Sequence, residues 1–407
     1  MKKACLLLMS LSVLLQLPAQ FKNDNVLYKT IDPFDLCKAL EQSPGYVLLD
    51  VRSNPEYEDT TSFNMDYGRF KNAININVRE LGKRIHELDA YRNKPIFVYC
   101  SHSQRSRVAS KMLSDSGFTN VNNVNGGITS FHYLSVLNEP CVKNIYQTKN
   151  NFSFISPASL CQKINSNAAA IFLLDVRSDS AFKHISRDDK ENALGYIKGS
   201  VNIPLENIQK GSYNIPSGKQ IIITDIYGHD AAAAAKLLLQ KGYQNISVLT
   251  EGIDRWMAMN EAAVPCKNTL YQNAAAYNLL TNFNFAQWIK DKKTYRLLDI
   301  RTAEEFANNH KDKYRNIGHL KNSINIPVVV LESRLNELGN EKNTAIVVYG
   351  FGGGSEAFTA ASTLVKNGFT NVNVLYDGIF NVRWTAGNVK GWSSLSNLIE
   401  NVPDENK

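Results

Sequence analysis

The chain has 407 residues, 43% hydrophobic and 20% charged, which suits two to four soluble globular domains, each with a core of its own. The formal charge is +7, and Lys2 and Lys3 supply two of it, leaving +5 from Gln20 onward. Lys and Arg are scattered rather than clustered, so no nucleic-acid-binding stripe is expected.

The first residues, "MKKACLLLMSLSVLLQLPAQ", place two lysines before an apolar run and small residues after it. This is the pattern of a signal peptide over residues 1–19, cleaved after Ala19 and too short for a spanning helix. Nothing later is long and apolar enough to span a membrane. An exported protein, periplasmic or extracellular, is expected, in a compartment where disulfides persist.

Beyond this segment one unit occurs three times. "YVLLDVRSNPEY" recurs as "IFLLDVRSDSAF" and "YRLLDIRTAEEF", "FKNAININ" as "IKGSVNIP" and "LKNSINIP", and "SGFTNVNNVNGGI" as "KGYQNISVLTEGI" and "NGFTNVNVLYDGI". The spacing is far longer than a solenoid repeat, so each copy is a domain. The expected boundaries are 20–141, 142–266 and 267–407, the last with a C-terminal tail.

Within a copy, "VLLD" predicts a strand, and a short helix, a second strand and a further helix follow. "IFVYC", the helix "RVASKMLSDSG" and "VNNV" complete the set. The strands are short runs without polar alternation, as in parallel strands covered on both faces. The helix places Val108, Met112 and Leu113 on one face and stops at Gly117. Strands alternating with helices predict an α/β fold with an open parallel sheet flanked by helices, which binds ligands at the carboxyl ends of its strands. Cys100 sits at such an end.

The "DVR/DIR" strand ends, the "ININ/VNIP" segments, the loop around Cys100 and the closing "GGI/EGI/DGI" together resemble the rhodanese (sulfurtransferase) family, three times over. The resemblance implies three tandem rhodanese-like domains. It also implies that Cys100 accepts sulfane sulfur as a persulfide and passes it to a thiophilic acceptor. Only the first copy has the cysteine; Asp225 and Gly350 stand in its place in the others, which should be inactive. Four residues separate Cys100 from Arg105. Phosphatase relatives of the fold use five, so sulfur transfer is favoured over phosphate chemistry.

A loop curled between a strand end and a helix start points backbone N–H groups inward and favours an anion, whether thiolate, persulfide or the oxyanion end of thiosulfate. The candidate substrate loop is Ser101, His102, Ser103, Gln104, Arg105 and Ser106. Arg105 either adds charge at the rim or forms a plain surface salt bridge, and His102 more often would face solvent. Asp50 and Arg52 read as a structural pair, because all copies keep them. Asp225 reads as a solvated turn residue rather than a carboxylate lodged in the anion site, and "FGGGS" as a flexible turn. The long segment after each DVR strand suggests Tyr57, Met65, Tyr67 or Arg69 as shapers of donor access, against a plain surface insertion.

Cys37 and Cys161 match in position, as do Cys141 and Cys266; the third copy has Ala286 and Trp392 there and lacks both partners. Paired presence and absence suggest disulfides Cys37–Cys141 and Cys161–Cys266. Each would close a loop of about 105 residues, worth about 4 kcal/mol in the chain-entropy account. Cys100 is left as the free thiol. No Cys-x-x-Cys or His cluster suggests a metal, and no cofactor is expected. The expected function is an exported thiosulfate-type sulfurtransferase serving a small-molecule sulfur donor and a thiol, cyanide-like or protein acceptor. The alternative is a non-catalytic partner-binding or redox-sensing protein on the same fold.

Overall fold

The structure, a computed structural model, describes residues 27–61 and 66–402, so residues 1–19, expected as a signal peptide, and Met65 lie outside it. Each copy forms a five-stranded, fully parallel sheet. In the first the spatial order is Lys29–Ile31, Val121–Val124, Ile96–Tyr99, Val47–Asp50, Ile74–Asn75. The second and third copies repeat this order about Gln220–Thr224 and Ile346–Tyr349. The apolar runs form the three inner strands and are buried on both faces, as parallel strands with helical crossovers require. The edge strand Lys29–Ile31 is short and only half-buried, so it carries too little apolar signal to stand out in sequence.

The DVR motif is a buried bracket. Arg52 donates through Nε and Nη2 to the Asp50 carboxylate (Nη2 at 2.6 Å) and through Nη2 to Gly68 O (2.8 Å). Arg177 with Asp175 and Gly195 O, and Arg301 with Asp299 and Gly318 O, repeat it. The Asn of each "ININ/VNIP" segment closes the turn: Asn75 Nδ2 donates to Asp50 O and Arg52 O, and Asn202 and Asn325 do the same in their copies. Both charges are desolvated, and their mutual bonds offset that penalty.

Helix Gln104–Asp115 departs from the expected face. Ser106, Ala109, Ser110 and Leu113 are buried while Val108 is 56% exposed. Small residues let the helix lie close to the sheet, and two buried serines displace the apolar stripe that hydrophobicity alone would select.

After its last helix each copy sends a two-residue ribbon back onto its own long insertion: Tyr146–Gln147 pairs with Arg69–Phe70, Tyr271–Gln272 with Tyr196–Ile197, and Ile399–Glu400 with His319–Leu320. Cys37 and Cys141 meet beside the first ribbon (Cα–Cα 5.9 Å), and Cys161 and Cys266 beside the second (5.5 Å), with their sulfurs paired. In the third copy Trp392 packs edge-on against Phe283 of helix Asn282–Lys290 instead (centroids 4.7 Å). Apolar clusters run across the domain boundaries; the Tyr67 ring of the first copy lies tilted against Phe154 of the second (centroids 5.0 Å). Among the described residues no helix is long and apolar enough to cross a membrane.

Removing one member of a bracket leaves a buried, unpaired charge. Asp175→Ala is expected to cost about 3–5 kcal/mol in urea unfolding. A loss under about 1 kcal/mol would show that the bracket behaves like a surface pair.

Candidate functional site

Strand Ile96–Tyr99 ends at Cys100, which is 1% exposed, and helix Gln104–Asp115 begins four residues later. Ser103 between them adopts a left-handed conformation (φ 81°), which turns its N–H onto Cys100 Sγ at 3.1 Å. Cys100 Sγ also lies 3.6 Å from Ser106 Oγ. Beneath the loop, Ser106 Oγ donates to Asn123 Oδ1 (2.6 Å) and Asn123 Nδ2 donates to Ser103 Oγ (3.1 Å). These buried bonds hold the curl open toward the sulfur. The closing glycine supports it from the other side. Ile128 N–H donates to Cys100 O (2.9 Å), and a Cβ on Gly127 would sit 2.3 Å from that same oxygen. Only glycine fits there.

A cavity of about 360 Å³ opens beside the loop, and two domains line it. The first supplies Glu56, Tyr67, Ser101, His102 and Arg105; the second supplies Tyr227, His229, Glu251 and Asp254. Arg105 grips Glu56 bidentately (2.7 and 2.8 Å) and donates to Ser101 Oγ (2.9 Å). Burial alone would raise the Glu56 carboxyl, but hydrogen bonds from Arg105 and Ser53 outweigh it and hold it at about 2. Arg105 is thus both a rim residue and an ion-pair member. His102 is more than half exposed, yet its Nε2 reaches Glu251 Oε1 across the domain boundary at 2.8 Å. Glu251 is also held at about 2, its burial outweighed by Arg255 and His102. Gln104 is exposed at the helix start.

Of the insertion residues, Tyr67 lines the cavity. Tyr57 and Arg69 bind each other instead: Arg69 Nη1 donates to Tyr57 O (2.7 Å) and lies over the Tyr57 ring, whose hydroxyl donates to Ala73 O. Glu56, Glu251 and Asp254 escape the reading of motifs. A signal for Glu56 exists, since Ser53-x-x-Glu56 is a capping box at the start of helix Asn54–Tyr57. The carboxylates of the second domain carry no such signal, because only the tertiary fold brings them to the Cys100 loop.

The second copy corrects one expectation. Asp225 is not a solvated turn residue; it is 4% exposed and lodged in the loop at the place of Cys100. Its Oδ1 accepts from Gly228 N–H, and its Oδ2 accepts from Asp230 N–H (2.8 Å) and Ala231 N–H (3.3 Å). Gly228 has the left-handed backbone (φ 92°) that Ser103 has in the first copy. Burial pushes the Asp225 carboxyl up to about 7, against the pull of the Gly228 and Asp230 amides. In the third copy the "FGGGS" loop is tied down rather than free: Lys190 Nζ donates to Gly353 O (2.8 Å) and Ser355 Oγ to Asp188. Among the described residues no group of three or more His, Cys, Asp or Glu side chains is placed to hold a metal ion.

A strand-end cysteine in an amide-lined loop, on an open parallel sheet repeated three times, defines a sulfurtransferase-type scaffold. Residues 34–133, 156–259 and 284–384 match the rhodanese-like domain family, more than half of the chain, and the protein belongs to that family. Among curated relatives, the tRNA uridine(34) hydroxylase of Cytophaga hutchinsonii is 35% identical over 106 residues, 25% of this chain and 31% of that protein. The chain therefore spans about a third of the length of that relative. Among solved structures, a thiosulfate sulfurtransferase from Pseudomonas aeruginosa is 20% identical, covering 85% of this chain and 66% of that one (TM-score 0.22). A rhodanese-related protein from Thermoplasma volcanium is 33% identical, covering 26% and 90% (TM-score 0.21).

Because the folded pKa of Asp225 lies above the ordinary value of 3.8, ionising it opposes folding. Its stability contribution is full below about 3.8 and is lost as pH rises through about 7. Thermal unfolding between about pH 5 and pH 8 should show wild type losing stability that Asp225→Asn keeps. Parallel profiles would mean that the amide bonds, not burial, govern this carboxyl.

Proposed function

We propose that the protein is an exported thiosulfate-type sulfurtransferase working through Cys100. The Cys100 thiolate attacks the outer sulfur of thiosulfate; that S–S bond breaks and sulfite leaves with the electron pair, giving the Cys100 persulfide. A thiolate or cyanide then attacks the terminal sulfur. It departs as a persulfide or thiocyanate and regenerates the Cys100 thiolate. The tRNA hydroxylase relatives share only about one copy's length of this chain, so the reading does not rest on their chemistry.

The observation that carries the proposal is Asp225. In the second copy a carboxylate fills the loop with one oxygen at the third N–H after the strand end and the other at the fifth and sixth. In the first copy Cys100 Sγ already takes the third N–H, that of Ser103. By the repeat, the N–H groups of Arg105 and Ser106 correspond to those that hold Asp225 Oδ2, the place a terminal persulfide sulfur would occupy. In its ionised form, which burial confines to pH above about 7, that carboxyl is a built-in likeness of Cys–S–S⁻. Charge-assisted amide bonds favour that anion over a neutral thiol. Two disulfides would leave Cys100 as the free thiol, which suits a carrier in an oxidising compartment.

Intact mass after exposure to thiosulfate tests this. Wild type should gain one sulfur, about 32 Da, that cyanide removes, and Cys100→Ser should gain none. The unreduced protein should weigh about 4 Da less than the reduced one, for two bridges. No adduct on wild type would leave the partner-binding reading of the fold.

A further inference from the structure

A second cavity, of about 250 Å³, lies where the three domains meet, and each contributes to its wall. Its body is aromatic, with Tyr133 from the first domain and Phe283, Trp384 and Trp392 from the third. Two charged side chains stand in this wall, Asp32 of the first domain and Arg255 of the second, and no other lining residue is charged. The Arg255 guanidinium lies over the Tyr133 ring, with Cζ 4.5 Å from its centroid. Its Nε donates to Glu251 Oε2 (2.7 Å), and Glu251 Oε1 meets His102 at the Cys100 cavity. Arg255 thus stands between the two cavities, with one edge of its fork given to Glu251. Its Nη1 and Nη2 groups have no partner among the described residues and are not sealed in; the side chain is 28% exposed. A guanidinium fork can serve two carboxylates at once, so the Nη pair is open to a second anion.

Asp32 is the opposite charge of the same wall. Its Oδ1 accepts from Phe34 N–H (3.1 Å) as the cap of the turn Pro33–Asp35, while Oδ2 has no partner among the described residues and is not sealed in. Lys390, paired with Asp35 at 3.7 Å, acts on Asp32 from outside the wall. Burial pushes the Tyr133 hydroxyl up, Arg255 pulls it down, and Glu251 and Asp32 push it up again, so both charges of the wall act at one ring.

The repeat shows that both charges are local. Ser130, Arg255 and Asn381 hold the same position in their copies and all line this cavity, but only one is charged. The position of Asp32 is Ser156 in the second copy and Thr281 in the third, whose hydroxyls cap their helices. A hydroxyl therefore suffices for the cap, and the charge of the first copy's carboxylate is surplus to it.

We propose that this cavity binds a small aromatic zwitterion the size of one amino acid, with its carboxylate on Arg255, its ammonium on Asp32 and its ring against the aromatic lining. The volume lies below that of drug-sized sites and excludes a nucleotide. The site is distinct from the Cys100 cavity, and the proposal does not rest on sulfur transfer.

Three probes on one carbon skeleton test this with the full-length protein: phenylalanine, 3-phenylpropanoate, which lacks the ammonium, and phenethylamine, which lacks the carboxylate. Titration calorimetry, with the emission of Trp384 and Trp392 as a second readout, should show 1:1 binding of phenylalanine. Each analogue should bind on the order of tenfold more weakly. Asp32→Asn keeps a capping oxygen; it should weaken phenylalanine on the order of tenfold and leave 3-phenylpropanoate bound no more weakly than before. Should Asp32→Asn fail to fold, the three probes on wild type decide alone. Absence of saturable phenylalanine binding, or an analogue that matches its affinity, overturns the proposal, as does a folded Asp32→Asn that binds phenylalanine as wild type does.

Discussion

The amides at the carboxyl end of each central strand must face something that accepts hydrogen bonds. A strand that stops, turns through one left-handed residue and restarts as a helix leaves several N–H groups converging on one point. In the first copy that point holds the sulfur of Cys100, and in the second both oxygens of Asp225. The third copy has Gly350 there, lengthens its loop by one residue and attaches it to the neighbouring domain through Lys190. Three sequences thus give three answers to one demand of the backbone. The closing glycine, the buried Ser–Asn bonds and the wall from the second domain are arranged around it.

The loop keeps its shape because the sheet beneath it is closed by charge. The Asp–Arg brackets desolvate two ions in each copy and commit Nε and Nη2 of the guanidinium fork to a carboxylate and a carbonyl of the insertion. This couples the strand end to the segment that carries Tyr67 toward the cavity. The cleft itself is far from uniformly positive. Arg105 is matched by Glu56, and Glu251 answers both His102 and Arg255. An anion entering this cleft would therefore meet oriented amides rather than free side-chain cations.

Much of this was legible in the sequence, because the repeat printed the same instructions three times. The parallel sheets follow from continuous apolar runs, and the position of Cys100 from the strand-turn-helix grammar. The structure pairs the four matched cysteines in the arrangement that their joint absence from the third copy suggests. Part of what could not be read lies in contacts between copies, and part in burial within one. His102 looks like a solvent-facing residue until Glu251, in the next domain, is placed 2.8 Å away. Asp225 looks like a turn former because polar residues at turns usually are, and only burial reveals its occupation of the loop. Val108 differs for the opposite reason: its hydrophobicity points inward, but the small side chains Ser106, Ala109 and Ser110 allow closer helix–sheet contact and take the buried face.

The return ribbons have a consequence for how the chain is strung together. Each copy ends by pairing with its own insertion before the next copy's first strand begins, with only a few residues between Gln147 and Ser153 and between Gln272 and Asn278. The connector is spent inside the domain it leaves, so little slack remains between neighbours. A string of beads would let each domain diffuse on its tether; this chain is closer to a hinge-free bracket. The spacing between the Cys100 loop and the second domain's carboxylates is therefore a property of covalent length as much as of surface complementarity.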